Sequence, residues 1–132
     1  MVKDFNVHNM PSMMGREVTR PDERNPSKWI RDEIWYESVR RQFFALFQFY
    51  QDHRLLKVPV VRELGDTDRV LLRFSDFTRE GQAFVMSQAP DRWLASFDRP
   101  GSKKAFDDVR YLEKQLARLR GPKDDNASRK DH

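Results

Sequence analysis

Three histidines, three close pairs of aspartates and five glycines are the residues from which this 132-residue chain would build reactive chemistry. His8, His53 and His132 stand far apart. None has a second His or a carboxylate at the separation that brings metal ligands together on a regular element. They read as solvated or helix-capping side chains. The carboxylate pairs are Asp66 with Asp68, Asp107 with Asp108, and Asp124 with Asp125. A general acid and base need a shared pocket that drives their pKa values apart, whereas these pairs fall in a turn, at a helix start and in a polar tail. The glycines are isolated, so no phosphate-cradling G-x-x-x-x-G-K-[ST], no G-x-G-x-x-G and no G-x-S-x-G elbow occurs. The absence of cysteine removes disulfides, thiolate zinc sites and cysteine nucleophiles. The expectation is a protein that is not an enzyme and uses no cofactor or metal.

Binding chemistry is better supplied. Trp35, Tyr36, Phe43, Phe44, Phe47, Phe49 and Tyr50 crowd into one short stretch, with Arg40-Arg41 in front of its apolar half. Aromatic residues and Arg dominate the energetics of protein interfaces. The same types can stack bases of single-stranded nucleic acid, but a helix turns its rings around a cylinder and makes a poor platform for that. The balance of 25 Lys+Arg against 21 Asp+Glu gives a net charge of +4. The charges are interleaved, with no run of five of one sign, so they leave nucleic acid possible without favouring it.

These side chains need elements to hold them. Residues 1–26, with three prolines and three methionines at 10, 13 and 14, read as an extended N-terminal arm whose methionines pack on the body. Asn25-Pro26 resembles a helix start, a capping residue followed by proline in the first turn. From there to about residue 52 no Gly or Pro intervenes. Trp29, Tyr36, Val39, Phe43, Leu46, Phe47 and Tyr50 recur at helical spacing. The second half is apolar all round and must be covered on more than one side. Phe44 and Phe49 point away from the main stripe, which makes them, with Arg40 and Arg41, the candidate protein interface.

After the helix the period changes. Residues 55–64, turn chemistry at Gly65-Asp66-Thr67-Asp68, and the alternating residues 69–74 predict a β-hairpin with Val70, Leu72 and Phe74 inward. Pro59 confines its first strand to an edge or bulge. Thr78 or Asp76 can cap the next helix, and Pro90 kinks it or starts another, with Trp93, Leu94 and Phe97 on the buried side. Arg99-Pro100-Gly101-Ser102 forms a loop. A last helix, capped by Asp107 or Asp108, carries Val109, Leu112, Leu116 and Leu119 as its seam and stops at Gly121-Pro122.

The stretch YQDHRLLKVPVVRELGDTDRVLLRFSDFTREGQAFV, residues 50–85, resembles the end of the recognition helix, the wing and the start of the next helix in winged-helix regulators of the MarR and PadR kind. His53-Arg54-Leu55-Leu56 takes the place of the helix-ending turn, Asp66-Thr67-Asp68-Arg69 that of the wing tip, and Phe77-Thr78-Arg79-Glu80-Gly81 that of the helix opening. The resemblance implies that Arg69, with Arg62, touches phosphates, contacts that position a protein without reading sequence. One long helical pattern from 27 to 52 departs from the family, which has two shorter helices before the wing.

The fold expected is thus mostly helical α+β: a long central helix, a two-stranded β-hairpin, a kinked helix pair and a C-terminal helix. A single domain would span residues 27–121, followed by a disordered polar tail at 122–132. The function expected is a small interaction protein, an adaptor, inhibitor or immunity-type factor, with a protein partner or a homodimer. The alternative is a nucleic-acid-binding regulator using Arg62, Arg69 and Arg73. No stretch nears the roughly 18–20 apolar residues of a membrane helix, and MVKDFNVHNM lacks a signal-peptide h-region. A cytoplasmic location follows as the expectation.

Overall fold

A carboxylate, not a proline, starts the long helix. Asp32 accepts a hydrogen bond from the Trp35 amide at 2.9 Å, and the twenty residues Glu33–Asp52 follow as α2. The computed structural model describes residues 4–15, 19–98 and 105–130, the last stretch with side chains only as far as Gly121. Asn25-Pro26 turns the chain between two short strands, β2 (Thr19–Pro21) and β3 (Trp29–Arg31), which pair antiparallel. There the Asn25 amide donates to the Asp22 carbonyl and the Lys28 amide to that of Asn25. Trp29 therefore leaves the helical stripe and stands 62% exposed on β3. Local turn bonding has won over the helix-start signal.

Residues 4–15 pack on the body through their methionines, as expected, but as a strand and a helix and not as an extended arm. Strand β1 (Asn6–Asn9) pairs antiparallel with β4 (Leu71–Arg73), and α1 (Met10–Met14) buries Met10 and Met14 one helical turn apart. The register slips by one residue between Asn6 and His8. Such a bulge turns the following side chain to the other face. Here it sets His8 opposite Leu72, and both are buried.

Strand β4 keeps the expected alternation, with Leu72 inward and Leu71 and Arg73 outward. Its partner is β1, however, and residues 55–64 form no strand beyond an isolated bridge from Leu56 to Phe77. The physical reason is Gln51. Its side-chain amide accepts from the Val60 and Val61 amides at 2.6 and 2.8 Å and donates to the Val61 carbonyl at 3.1 Å. One side chain thus takes the hydrogen bonds that a strand would have offered. The expected tip is a 3₁₀ turn, Leu64–Arg69, braced by the Asp66 carboxylate on the Arg62 and Glu63 amides. The wing of the winged-helix resemblance is absent from these residues.

The second half follows the sequence more closely. Thr78 caps α3 (Arg79–Met86) through its hydroxyl on the Gly81 amide. Gln88, at φ 68°, turns the chain into α4 (Ala89–Ala95), with Pro90 in the first turn. In α5 (Arg110–Lys130) Leu112 and Leu116 are buried, and the Asp108 carboxylate accepts from the first amide. The backbone stays helical beyond Gly121-Pro122, where a stop was expected; proline's fixed φ suits a helix and forgoes one hydrogen bond. The loop at Arg99-Pro100-Gly101-Ser102, the Asp124 and Asp125 side chains and His132 lie outside the described residues. One core joins α1, α2, β4, α3, α4 and α5 around Phe47, Tyr50, Phe77, Phe84 and Trp93. The class is therefore mostly helical α+β, with two small two-stranded sheets. Among the described residues no helix is long and apolar enough to cross a membrane.

Candidate protein-interaction groove

Helix α2 has one stripe that meets solvent at Ile34, Arg41 and Gln48 and touches the core at Phe44 and Ala45. Ile34, Glu37, Ser38, Arg41, Phe44, Ala45 and Gln48 follow at intervals of three and four or their neighbours, and so fall on one stripe. Two open clefts lie along it. The larger, about 500 Å³, is lined by Arg41, Phe44, Ala45 and Gln48 of α2, by Leu64 of the 3₁₀ turn, and by residues 105–107 before α5. The smaller, about 330 Å³, continues toward the start of α2 past Glu33, Ile34, Glu37 and Ser38. Both share Arg41 and Phe106, so they form one groove. Ile34 is 73% exposed at its end.

The walls are held by identifiable contacts. Arg40 anchors the 3₁₀ turn to α2 through a bidentate pair with Asp68, at 2.9 and 2.8 Å. Phe106 packs its ring against Phe97 at 5.7 Å, and Phe97 against the buried Trp93 at 4.8 Å. Arg41 donates to Glu37 at 2.8 Å across one turn. That bond, with Arg40 adding to it, holds the Glu37 carboxyl below its usual range. Charges at the groove are therefore largely paired, and its floor is apolar.

The expected interface residues separate. Phe44 and Arg41 line the groove. Arg40 supports it from behind, committed to Asp68 and Glu37. Phe49 is 3% exposed, packed against Phe84 of α3 at 5.6 Å and the His53 ring at 4.4 Å, so it belongs to the core. Its free side was an illusion of the helical wheel, because α3 covers it. Arg62, Arg69 and Arg73 are exposed and sit on three different local structures: a loop, the 3₁₀ turn and β4.

No protein-family model, curated protein or solved structure matches this chain. Among the described residues no three His, Asp or Glu side chains converge as a metal site. Of the histidines, His53 stands at the helix end as expected, where it caps α2, and His8 does not stand in solvent but is buried among Phe43, Phe47 and Tyr50. Ile34, Gln48, Leu64 and Phe106 were missed as groove residues. The first two lay on a legible stripe once α2 starts at Glu33, whereas Leu64 and Phe106 arrive through tertiary folding alone.

Proposed function

We propose that this protein is a non-enzymatic interaction module that receives an amphipathic helix of a protein partner in the groove along α2. The observation that supports this reading is the alignment of two clefts on one stripe of α2, with Ile34, Phe44, Leu64 and Phe106 as apolar contacts and Glu37, Arg41 and Gln48 at the rim. A groove parallel to a helix, about 20 Å long at 1.5 Å per residue, suits a partner helix that offers apolar residues at i, i+3 or i+4, and i+7.

The test is selection from a displayed library of amphipathic helical peptides. Binders are expected to lose affinity at least about tenfold when Ile34→Asp or Phe44→Asp is introduced, and to ignore Met86→Asp, a change at an exposed apolar residue on α3. Sedimentation at several concentrations is run beside it. A dimer abolished by Ile34→Asp assigns the groove to a second copy instead. Duplex binding that falls steeply with salt and is lost in Arg69→Ala, with no groove-dependent peptide, overturns the proposal in favour of nucleic acid.

A further inference from the structure

The most unusual polar group of the described core is an imidazole on β1, the strand that ties residues 6–9 to β4. His8 is 6% exposed. Its ring meets Phe43 edge-on at 5.5 Å, Phe47 at 5.5 Å and Tyr50 in a stack at 5.7 Å, all on α2. Nε2 shares a hydrogen bond of 2.7 Å with the Tyr50 hydroxyl. The regular register would have turned His8 outward and Val7 inward; the bulge in β1 reverses them. A polar, ionisable ring has thus been placed in an aromatic cage by a backbone irregularity that an apolar core would not need.

We propose that His8 is an acid-sensitive latch: its protonation releases β1 and α1 as a unit from α2, β4 and the 3₁₀ turn Leu64–Arg69, while the rest of the core stays folded. An imidazolium in this cage loses water and gains only aromatic contacts, the stacked Tyr50 ring among them, and one phenol oxygen. Burial accordingly lowers the His8 pKa from 6.5 to about 4. The same burial pushes the Tyr50 hydroxyl above its ordinary value, with Asp91 of α4 adding to it, so no phenolate arises to compensate the charge. From β4 the facing residue is Leu72, which is not ionisable. Asp4 holds the start of the unit through the Ser75 amide and hydroxyl, at 3.0 and 2.8 Å, and those bonds keep its carboxyl below 3.8. Asp4 therefore stays charged at about pH 5 and above.

What the release uncovers is specific. Met10 and Met14 leave with α1, and Phe43, Phe47, Tyr50 and Leu72 lose their cover, whereas α2, α3, α4 and α5 keep their contacts through Phe49, Phe84, Trp93 and Leu112. Opening is coupled to proton uptake because the freed imidazole returns to its ordinary value.

Amide hydrogen exchange read residue by residue tests this at about pH 7.5 and about pH 5, with protection factors corrected for intrinsic rates. The informative amides are Met10, bonded to the Val70 carbonyl, and Phe74, bonded to that of Phe5. Their opening constants are expected to rise roughly 30-fold at the lower pH, from an imidazole of about 4 closed and 6.5 open, while α2 amides such as Phe47 change little. His8→Gln, which keeps a polar contact and cannot charge, is expected to flatten the response. Equal opening constants at both pH values, an equal rise in His8→Gln, or a matching rise at Phe47 each overturn the latch. If His8→Gln does not fold, the imidazole resonances of the unmodified protein decide: titration near 4 supports the latch, and titration near 6.5 in the folded state refutes it.

Discussion

The guanidinium of Arg40 holds both carboxylate oxygens of Asp68, 28 positions away, while its third nitrogen reaches Glu37. This contact fixes the 3₁₀ turn against α2 and so sets one wall of the groove. Fork-on-carboxylate pairing is stronger than a point contact, and the side chains are 28% and 33% exposed, which tempers the gain. Arg40→Ala should lower stability by about 1–3 kcal/mol, read as a urea midpoint shift at constant slope. Arg40→Lys should recover only a minor part, since an ammonium cannot bridge both oxygens. Full recovery by Lys would mean that charge alone matters here.

Phe44 and Phe49, which looked equivalent on a helical wheel, should respond differently. Phe49→Ala removes a ring enclosed by Phe84 and His53 and should cost about 3–5 kcal/mol. Phe44→Ala trims a ring that faces the groove, and roughly 1 kcal/mol is expected. Thermal unfolding of both variants checks the order, and a larger loss for Phe44 would place the groove in the core.

The junction of α2 and α3 gives two changes of opposite sign. A Cβ at Gly81 would stand 2.1 Å from the Leu55 carbonyl oxygen, so Gly81→Ala should destabilise by about 3 kcal/mol or more. At the end of α2, Arg54 sits at φ 58° just after the His53 cap, with the Leu55 amide bonded to the Tyr50 carbonyl and its own amide to that of Gln51. Glycine takes that left-handed position without steric cost, and Arg54→Gly should gain roughly 0.5–1 kcal/mol. Calorimetric melting temperatures decide both.

Stability should fall in two acid stages. The folded state prefers neutral His8, so its contribution is complete above pH 6.5 and disappears as pH falls toward about 4. A displacement of that size corresponds to about 3 kcal/mol. Glu37 and Glu80, held low chiefly by hydrogen bonds from Arg41 and Arg120, and Asp66, held low by backbone amides, stabilise above their ordinary values of 4.5 and 3.8 and lose that benefit below them. Urea midpoints across pH should therefore decline first through the His8 range and then through the carboxylate range. His8→Gln should remove only the first stage; an unchanged first stage would assign it elsewhere.

Locally encoded elements were legible in the sequence. The body of α2, the alternation of Val70, Leu72 and Leu71, the Thr78 cap and the break at Pro90 each depend on neighbours within a turn or two. The helix start was misplaced because Asn25-Pro26 and Asp32 both offer a cap, and the turn bonds of Asp22 and Asn25 decide between them. The pairing of β1 was not legible at all: its strand signal is short, its partner is distant, and a bulge hides its inward residue. Residues 55–64 carried a strand pattern that the Gln51 side chain diverts. Of the groove, Arg41 and Phe44 could be read from one helix, whereas Leu64 and Phe106 come from other parts of the chain.

The distance spanned by the β1 pairing also bears on how the chain acquires its structure. Asp4 meets Ser75, 71 positions further on, so among the described elements the first to be synthesised is completed only after β4 exists. Contacts that close so long a loop slow folding relative to helix formation. Helix α2 can form early, leaving Phe43, Phe47 and Tyr50 uncovered until residues 4–14 return to them. During synthesis that exposed aromatic face is the point at which the nascent protein is open to self-association or to a chaperone, and slowing translation after residue 73 would lengthen the interval in which β1 finds its place.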